Sequence, residues 1–203
     1  MAFRVGSKLL RLLGRAGLRL VGWRAAGTAP DRGVVLIAAP HTSNWDLLYM
    51  LLVAAELGIE VHWVGKHTLF RPPLGWLMRA VGGIPVDRRA RHGAVEQLAR
   101  AFERDPNMIL AVAPEGTRGK APYWKSGFYE IARAAGVPIA LGYLDYARKE
   151  GGIGPWVEVT GDRAADMEKI RAFYADKTAR RPEAFTPPRL REEAAGEAGS
   201  PRR

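Results

Sequence analysis

The four histidines, His41, His62, His67 and His92, are the natural candidates for proton transfer near neutral pH in this 203-residue chain, which has no cysteine. Without cysteine there can be no thiol nucleophile, disulfide framework, zinc ribbon or iron–sulfur cluster. The serines are Ser7, Ser43, Ser126 and Ser200, and none sits in a Gly-x-Ser-x-Gly elbow. There is no phosphate-cradling Walker loop, no Gly-x-Gly-x-x-Gly turn after a strand and no His-Glu-x-x-His pair. A histidine acting as general base therefore has few rivals.

His41 stands in Pro40-His41-Thr42-Ser43-Asn44-Trp45-Asp46, between an apolar run at 34–39 and a helical pattern from 44. In an open α/β sheet, ligands gather at such strand ends. On one continuous helix His41 and Asp46 would lie about 140° apart and could not meet. A turn with Ser43 or Asn44 as N-cap would let the carboxylate fold back onto the imidazole. The Asp would then orient one ring nitrogen and raise the basicity of the other. Alone, His-x4-Asp is a weak signal, since a strand-end histidine and a helix-start aspartate are common separately.

Three further segments carry polar chemistry. Ala113-Pro114-Glu115-Gly116-Thr117-Arg118 follows another apolar run, with a Gly for close approach and a planar Arg fork for phosphate. Gly82 to Arg88 places a second arginine after a short extended piece. Lys125 precedes a helical segment, where anions are favoured.

Periodicity supplies the elements that must hold these residues. Short strands are expected at 34–39, 61–64, 84–86, 108–112, 137–143 and 156–160. Helices are expected at 44–57, 74–81, 94–104, 127–135 and 164–179, with Gly58 and Gly136 as C-caps. Strands alternating with helices imply an α/β fold, a central and largely parallel sheet flanked by helices. From 181 onward large apolar residues thin out among Pro, Gly, Ala, Glu and Arg, and that stretch reads as a disordered tail. The resulting division is 1–30 as a basic helix, 31–180 as the catalytic domain and 181–203 as the tail.

The charge is unusual: 31 Lys+Arg against 21 Asp+Glu leave a formal +10. Anionic partners are implied. Residues 2–24 hold Arg4, Lys8, Arg11, Arg15, Arg19 and Arg24 with no acid, and the first five fall on one stripe of a helix. Val5, Leu9, Leu12, Leu13, Leu20 and Trp23 occupy the other side. A basic amphipathic helix of this kind suits an anionic membrane surface. No apolar run approaches the ~18–20 residues of a membrane span, and the basic interruptions do not read as a signal peptide. Nucleic acid would also accept the charge, but leucines opposite the basic stripe would be wasted on it, and no nucleic-acid module is present.

Taken in order, these blocks resemble the glycerolipid acyltransferase superfamily, whose best-known members are lysophosphatidic acid acyltransferases. The His-x4-Asp block is His41 to Asp46. The Gly-x-x-Phe-Ile-Asp-Arg block is Gly82 to Arg88, and the Phe-Pro-Glu-Gly-Thr-Arg block is Ala113 to Arg118. A Val-Pro-Ile strand is Val137-Pro138-Ile139. The blocks span residues 40 to about 140. Pro40, Pro85 and Ala113 depart from the family's usual Asn, Phe and Phe, and these positions bear on the acceptor pocket.

The resemblance implies transfer of a fatty acyl group from an acyl-CoA or acyl carrier protein thioester to a lysophospholipid hydroxyl, with 1-acylglycerol-3-phosphate the first expectation. Such a donor is already activated, so no metal and no cofactor is implied. His41 would be the general base and Asp46 its orienting partner. Arg88 and Arg118 would hold the acceptor phosphate, Glu115, Gly116 and Thr117 would shape the pocket, and Lys125 would assist. The expected location is the cytoplasmic face of the cell membrane, peripheral or monotopic. The alternatives are another lysolipid acceptor, such as a lyso-aminolipid, or a non-catalytic membrane-binding or nucleic-acid-binding protein.

Overall fold

The computed structural model describes residues 8–86 and 91–193 as backbone, and the side chains of 8–86 and 93–193. The elements are α1 (Lys8–Leu20), β1 (Arg24–Ala26), β2 (Val34–Ala39), α2 (Trp45–Leu57), β3 (Val61–Lys66), α3 (Gly75–Ala80), β4 (Gly83–Val86), α4 (Arg91–Arg104), β5 (Ile109–Val112), α5 (Gly127–Ala135), β6 (Ile139–Asp145), β7 (Glu150–Val157) and α6 (Arg163–Tyr174). The seven strands form one sheet in the order β1-β7-β6-β2-β5-β3-β4. Every neighbouring pair is parallel except the antiparallel β6–β7 hairpin. The fold is the expected mixed, largely parallel α/β sheet flanked by helices.

Alternate residues of β2 face opposite layers. Val35 and Ile37 join Phe128, Ile131 and Ile170 in one core, which puts α4, α5 and α6 on that face. Val34 and Leu36 join Ala54, Phe70 and Trp63 in the other, beneath α2. β2 and β5 lie side by side with Ile37 paired to Val112, so the loops leaving both strands emerge at the same sheet edge. That adjacency brings residues 40–46 and 113–118 together.

Three expectations are corrected. The strand expected at 156–160 is β7, Glu150–Val157, which starts earlier in a stretch that carries little strand signal because it contains Gly151, Gly152, Gly154 and Pro155. Those glycines make room for packing. A Cβ on Gly152 would stand 2.1 Å from the Ala26 carbonyl oxygen, and one on Gly154 would stand 2.5 Å from the Phe173 ring. The short edge strand β1 was not expected at all. The segment 181–193 is ordered: Ala184, Thr186 and Leu190 are buried, Leu190 bridges to Trp124, and Trp124 Nε1 donates to the Thr186 carbonyl at 2.7 Å. Residues 194–203, the rest of the expected tail, lie outside the described residues.

α1 forms, but it packs by an unexpected face. Gly14 and Leu18 are buried against α2; a Cβ on Gly14 would lie 2.7 Å from the Glu56 backbone nitrogen, and one on Gly17 would lie 2.9 Å from Leu52. Leu9, Leu12, Leu13 and Leu20 remain exposed, and Lys8, Arg11, Arg15 and Arg19 run beside them. Trp23, placed in sequence with the leucines, is buried instead and stacks on Tyr49 with ring centroids 4.2 Å apart. Arg4 and Val5 lie outside the described residues.

Candidate active site

The sheet places His41 two residues past the end of β2, after a cis Ala39–Pro40 peptide. His41 Nδ1 lies 3.3 Å from Oδ2 of Asp46, so the turn between them does bring the pair together. The helix start differs in detail from the expected cap. Asn44 makes no capping hydrogen bond. Instead Asp46 Oδ2 accepts the Thr42 and Ser43 N–H groups, each at 2.8 Å, while Ser43 Oγ accepts the Trp45 N–H at 3.2 Å. One carboxylate thus builds the turn and faces the imidazole.

Asp46 is 4% exposed, and its second oxygen, Oδ1, accepts the Tyr146 hydroxyl at 2.6 Å. Burial pushes its pKa up, but hydrogen bonds from His41, Tyr146 and the Ser43 N–H outweigh that and hold it below the ordinary carboxylate value. The carboxylate is therefore charged near neutral pH, with Nδ1 of the imidazole toward it and Nε2 on the far side of the ring. Tyr146 comes from the β6–β7 turn. Asp145 shapes that turn by accepting the Ala147 and Arg148 N–H groups at 3.1 and 3.2 Å. The Tyr146 ring meets Trp23 and Tyr49 edge-on.

Glu115 is 1% exposed, and its Oε1 accepts the His41 N–H at 2.7 Å. Burial pushes its pKa up to about 8; the His41 and Thr186 backbones pull it down, and the Asp46 charge adds to the rise. Oε2 is buried with no hydrogen-bond partner. Glu115 thus stands behind the site wall and fastens one loop to the other. Gly116, Thr117, Arg118 and Lys125 do reach the site, as lining of a single groove that also contains His41 and Asp46. Lys125 lies across Gly116, where a Cβ would meet Nζ at 2.6 Å. Arg88 lies outside the described residues. Lys66, the last residue of β3, lines the groove.

Apolar side chains make up much of the groove wall, Leu47, Met50, Leu69, Leu74 and Met78 among them. Its volume is about 1480 Å³. That exceeds the roughly 300–1,000 Å³ of an ordinary small-molecule pocket and leaves room for a large ligand.

Sequence reasoning missed Arg181 and Tyr146. The Arg181 guanidinium donates to the Thr42 carbonyl through Nε at 2.7 Å and also through Nη2, and Nη2 reaches the Arg118 carbonyl at 2.9 Å. It clamps the His41 loop to the 113–118 loop. Neither residue carries a local signal, because each meets its partners across 63 positions or more of sequence.

A model of the Acyltransferase family matches residues 24–140, more than half of the 203, and the chain belongs to that family. A stretch of 92 residues is 35% identical to a 1-acyl-sn-glycerol-3-phosphate acyltransferase of Helicobacter pylori, covering 44% of this chain and 38% of that protein. The match thus spans well under half of that relative's length. Among solved structures, the 1-acyl-sn-glycerophosphate (LPA) acyltransferase of Thermotoga maritima superposes with a TM-score of 0.57 at 20% identity, over 85% of this chain and 80% of that one. At that identity the likeness shows a shared fold.

Proposed function

We propose that this acyltransferase moves a fatty acyl group from an acyl-CoA or acyl carrier protein thioester to the free hydroxyl of a lysophospholipid, with 1-acylglycerol-3-phosphate as acceptor. The observation that carries the reading is His41 held by a charged Asp46 in the wall of a large groove that also takes in Arg118, Lys125 and many apolar side chains. His41 Nε2 takes the acceptor hydroxyl proton as the oxygen attacks the thioester carbonyl. A tetrahedral oxyanion forms, the C–S bond breaks, and the imidazolium returns the proton to the leaving thiolate. A positioned general base supplies about 10²–10⁴-fold, so alignment of the two substrates in the groove must supply much of the rest. Arg118 and Lys125, with Arg88, take the acceptor phosphate, while Gly116 and Thr117 shape its seat.

Both lipid substrates reside in membranes, and α1 offers a way to meet them there. Its exposed leucines flank a row of cations while glycines face the protein. We assign this face to the surface of an anionic bilayer, on the cytoplasmic side of the cell membrane. Among the described residues, no helix is long and apolar enough to cross a membrane.

The test is to supply wild type and His41→Ala with oleoyl-CoA or acyl carrier protein thioester and a panel of lysolipids, following thiol release and product together. The expected result is product from wild type and at least about a hundredfold loss in the variant. Equal activity in both would remove His41 as base, and inactivity of both across the panel would overturn the reading.

A further inference from the structure

Among the described residues, the large apolar side chains that stand well exposed all lie on one side of the sheet. They form three groups: the leucine stripe of α1 with Val21, Trp45 with Leu48 at the start of α2, and Leu69, Leu74, Trp76 and Leu77 between β3 and β4. α2, Phe70 and Met78 pack on the same core, and α1 rides on α2. The helices of the opposite face, α4, α5 and α6, contribute none.

The third group is held out by a folded support. Phe70 is buried and stacks on Trp63, with centroids 5.8 Å apart. Arg79 Nη1 donates to the carbonyls of Phe70 at 3.1 Å and Gly75 at 3.3 Å. The chain is so tight there that a Cβ on Gly75 would sit 2.0 Å from the Phe70 oxygen. Trp76 nonetheless stands 72% exposed. Leu69 and Leu74 both project from the surface and line the groove that holds His41, so this group forms one rim of its mouth.

The charge around the rim matches one partner. Residues 61–86 contain no Asp or Glu, while Lys66, His67, Arg71 and Arg79 are exposed beside the apolar group. A tryptophan among leucines, framed only by cations, has the chemistry of the interface of an anionic phospholipid leaflet. An isolated patch of this kind on a soluble face would be an association hazard.

We propose that residues 69–77 form a second membrane contact, separate from α1, which sets the groove mouth into the headgroup layer so that lipid enters from the leaflet itself. The proposal rests on the membrane reading of α1. Three single-cysteine variants test it, because the native chain has no thiol to confuse the label. Full-length Trp76→Cys, Leu12→Cys and Gln97→Cys, the last on the exposed surface of α4, are labelled with nitrobenzoxadiazole. Each is mixed with phosphatidylcholine vesicles with and without phosphatidylglycerol, and with doxyl-labelled lipid as quencher. The expected result is a blue shift and doxyl quenching at positions 76 and 12 with anionic vesicles, and no change at 97. A response at 12 with none at 76 overturns the second contact and leaves α1 standing. Silence at both 12 and 76 overturns the membrane reading as a whole. A shift at 76 that follows protein concentration without vesicles identifies a second copy of the chain as the occupant and overturns the proposal.

Discussion

The backbone N–H of His41 donates to Oε1 of Glu115 at 2.7 Å, joining residues 74 positions apart. Because β2 and β5 are parallel neighbours, this single bond ties the loop of the proposed base to the loop of the proposed phosphate site. Glu115 therefore holds the two loops together.

Glutamine can accept the same bond, so Glu115→Gln is expected to keep most of the activity, whereas Glu115→Ala strands the His41 N–H and loses about tenfold or more in kcat/KM. The raised pKa also sets a pH signature. The unfolded carboxyl ionises near 4.5 and the folded one near 8, so the native state binds the extra proton between those values. Stability is then greatest below that window and falls as pH rises through it, by an amount on the order of a few kcal/mol. Urea unfolding across the window should show this decline in wild type and a flatter response in Glu115→Gln.

Tyr146→Phe removes one of the donors that keep Asp46 ionised. A depressed pKa stabilises above the ordinary carboxylate value, and that contribution is lost as pH falls through the depressed one. Without the hydroxyl the loss starts at higher pH. The acid limb of the urea-stability profile is expected to move to higher pH. An unmoved limb would show that Tyr146 serves packing alone.

Arg181→Ala opens the clamp between the Thr42 and Arg118 carbonyls. A several-fold fall in kcat is expected. Lysine should not replace it, since a single ammonium cannot reproduce the planar fork. Added guanidinium should restore part of the rate in Arg181→Ala, which a general loss of stability would not allow.

Two glycine-to-alanine exchanges in helices should have opposite signs. Gly93 in α4 has open space where a Cβ would go, so Gly93→Ala gains the helix-propensity difference of about 1 kcal/mol. At Gly14 a Cβ would meet the Glu56 nitrogen at 2.7 Å and the Leu52 carbonyl oxygen at 2.8 Å. Overpacking there costs about 1–3 kcal/mol and outweighs the propensity gain. Thermal unfolding of the two variants distinguishes the signs.

The parts legible in the sequence were those whose cause is local. His41 and Asp46 are five positions apart at a strand end, and the apolar runs of β2 and β5 announce themselves by composition. The first part of β7 was not read as a strand because its glycines carry no side chain to show a strand pattern, and their role appears only with the neighbours that need the space. Trp23 was misplaced for a related reason, since its ring belongs to Tyr49 and Tyr146 and helical spacing cannot reveal that. Tyr146 and Arg181 were out of reach because their partners are distant in the chain. The segment 181–193 looked like a tail because it is stapled by few apolar side chains and several backbone bonds, and composition records only the former.

That late segment also sets an order of events during synthesis. Translation makes α1 before the proposed base, His41. The guanidinium that grips the Thr42 carbonyl arrives at position 181, and the threonine that supports Ala121 at 186. Domains assemble from the N-terminus as the ribosome releases them. The growing chain therefore makes α1 well before Arg181 and Thr186 can lock the 40–46 and 113–118 loops, so on the function proposed above lipid contact would come before catalytic competence.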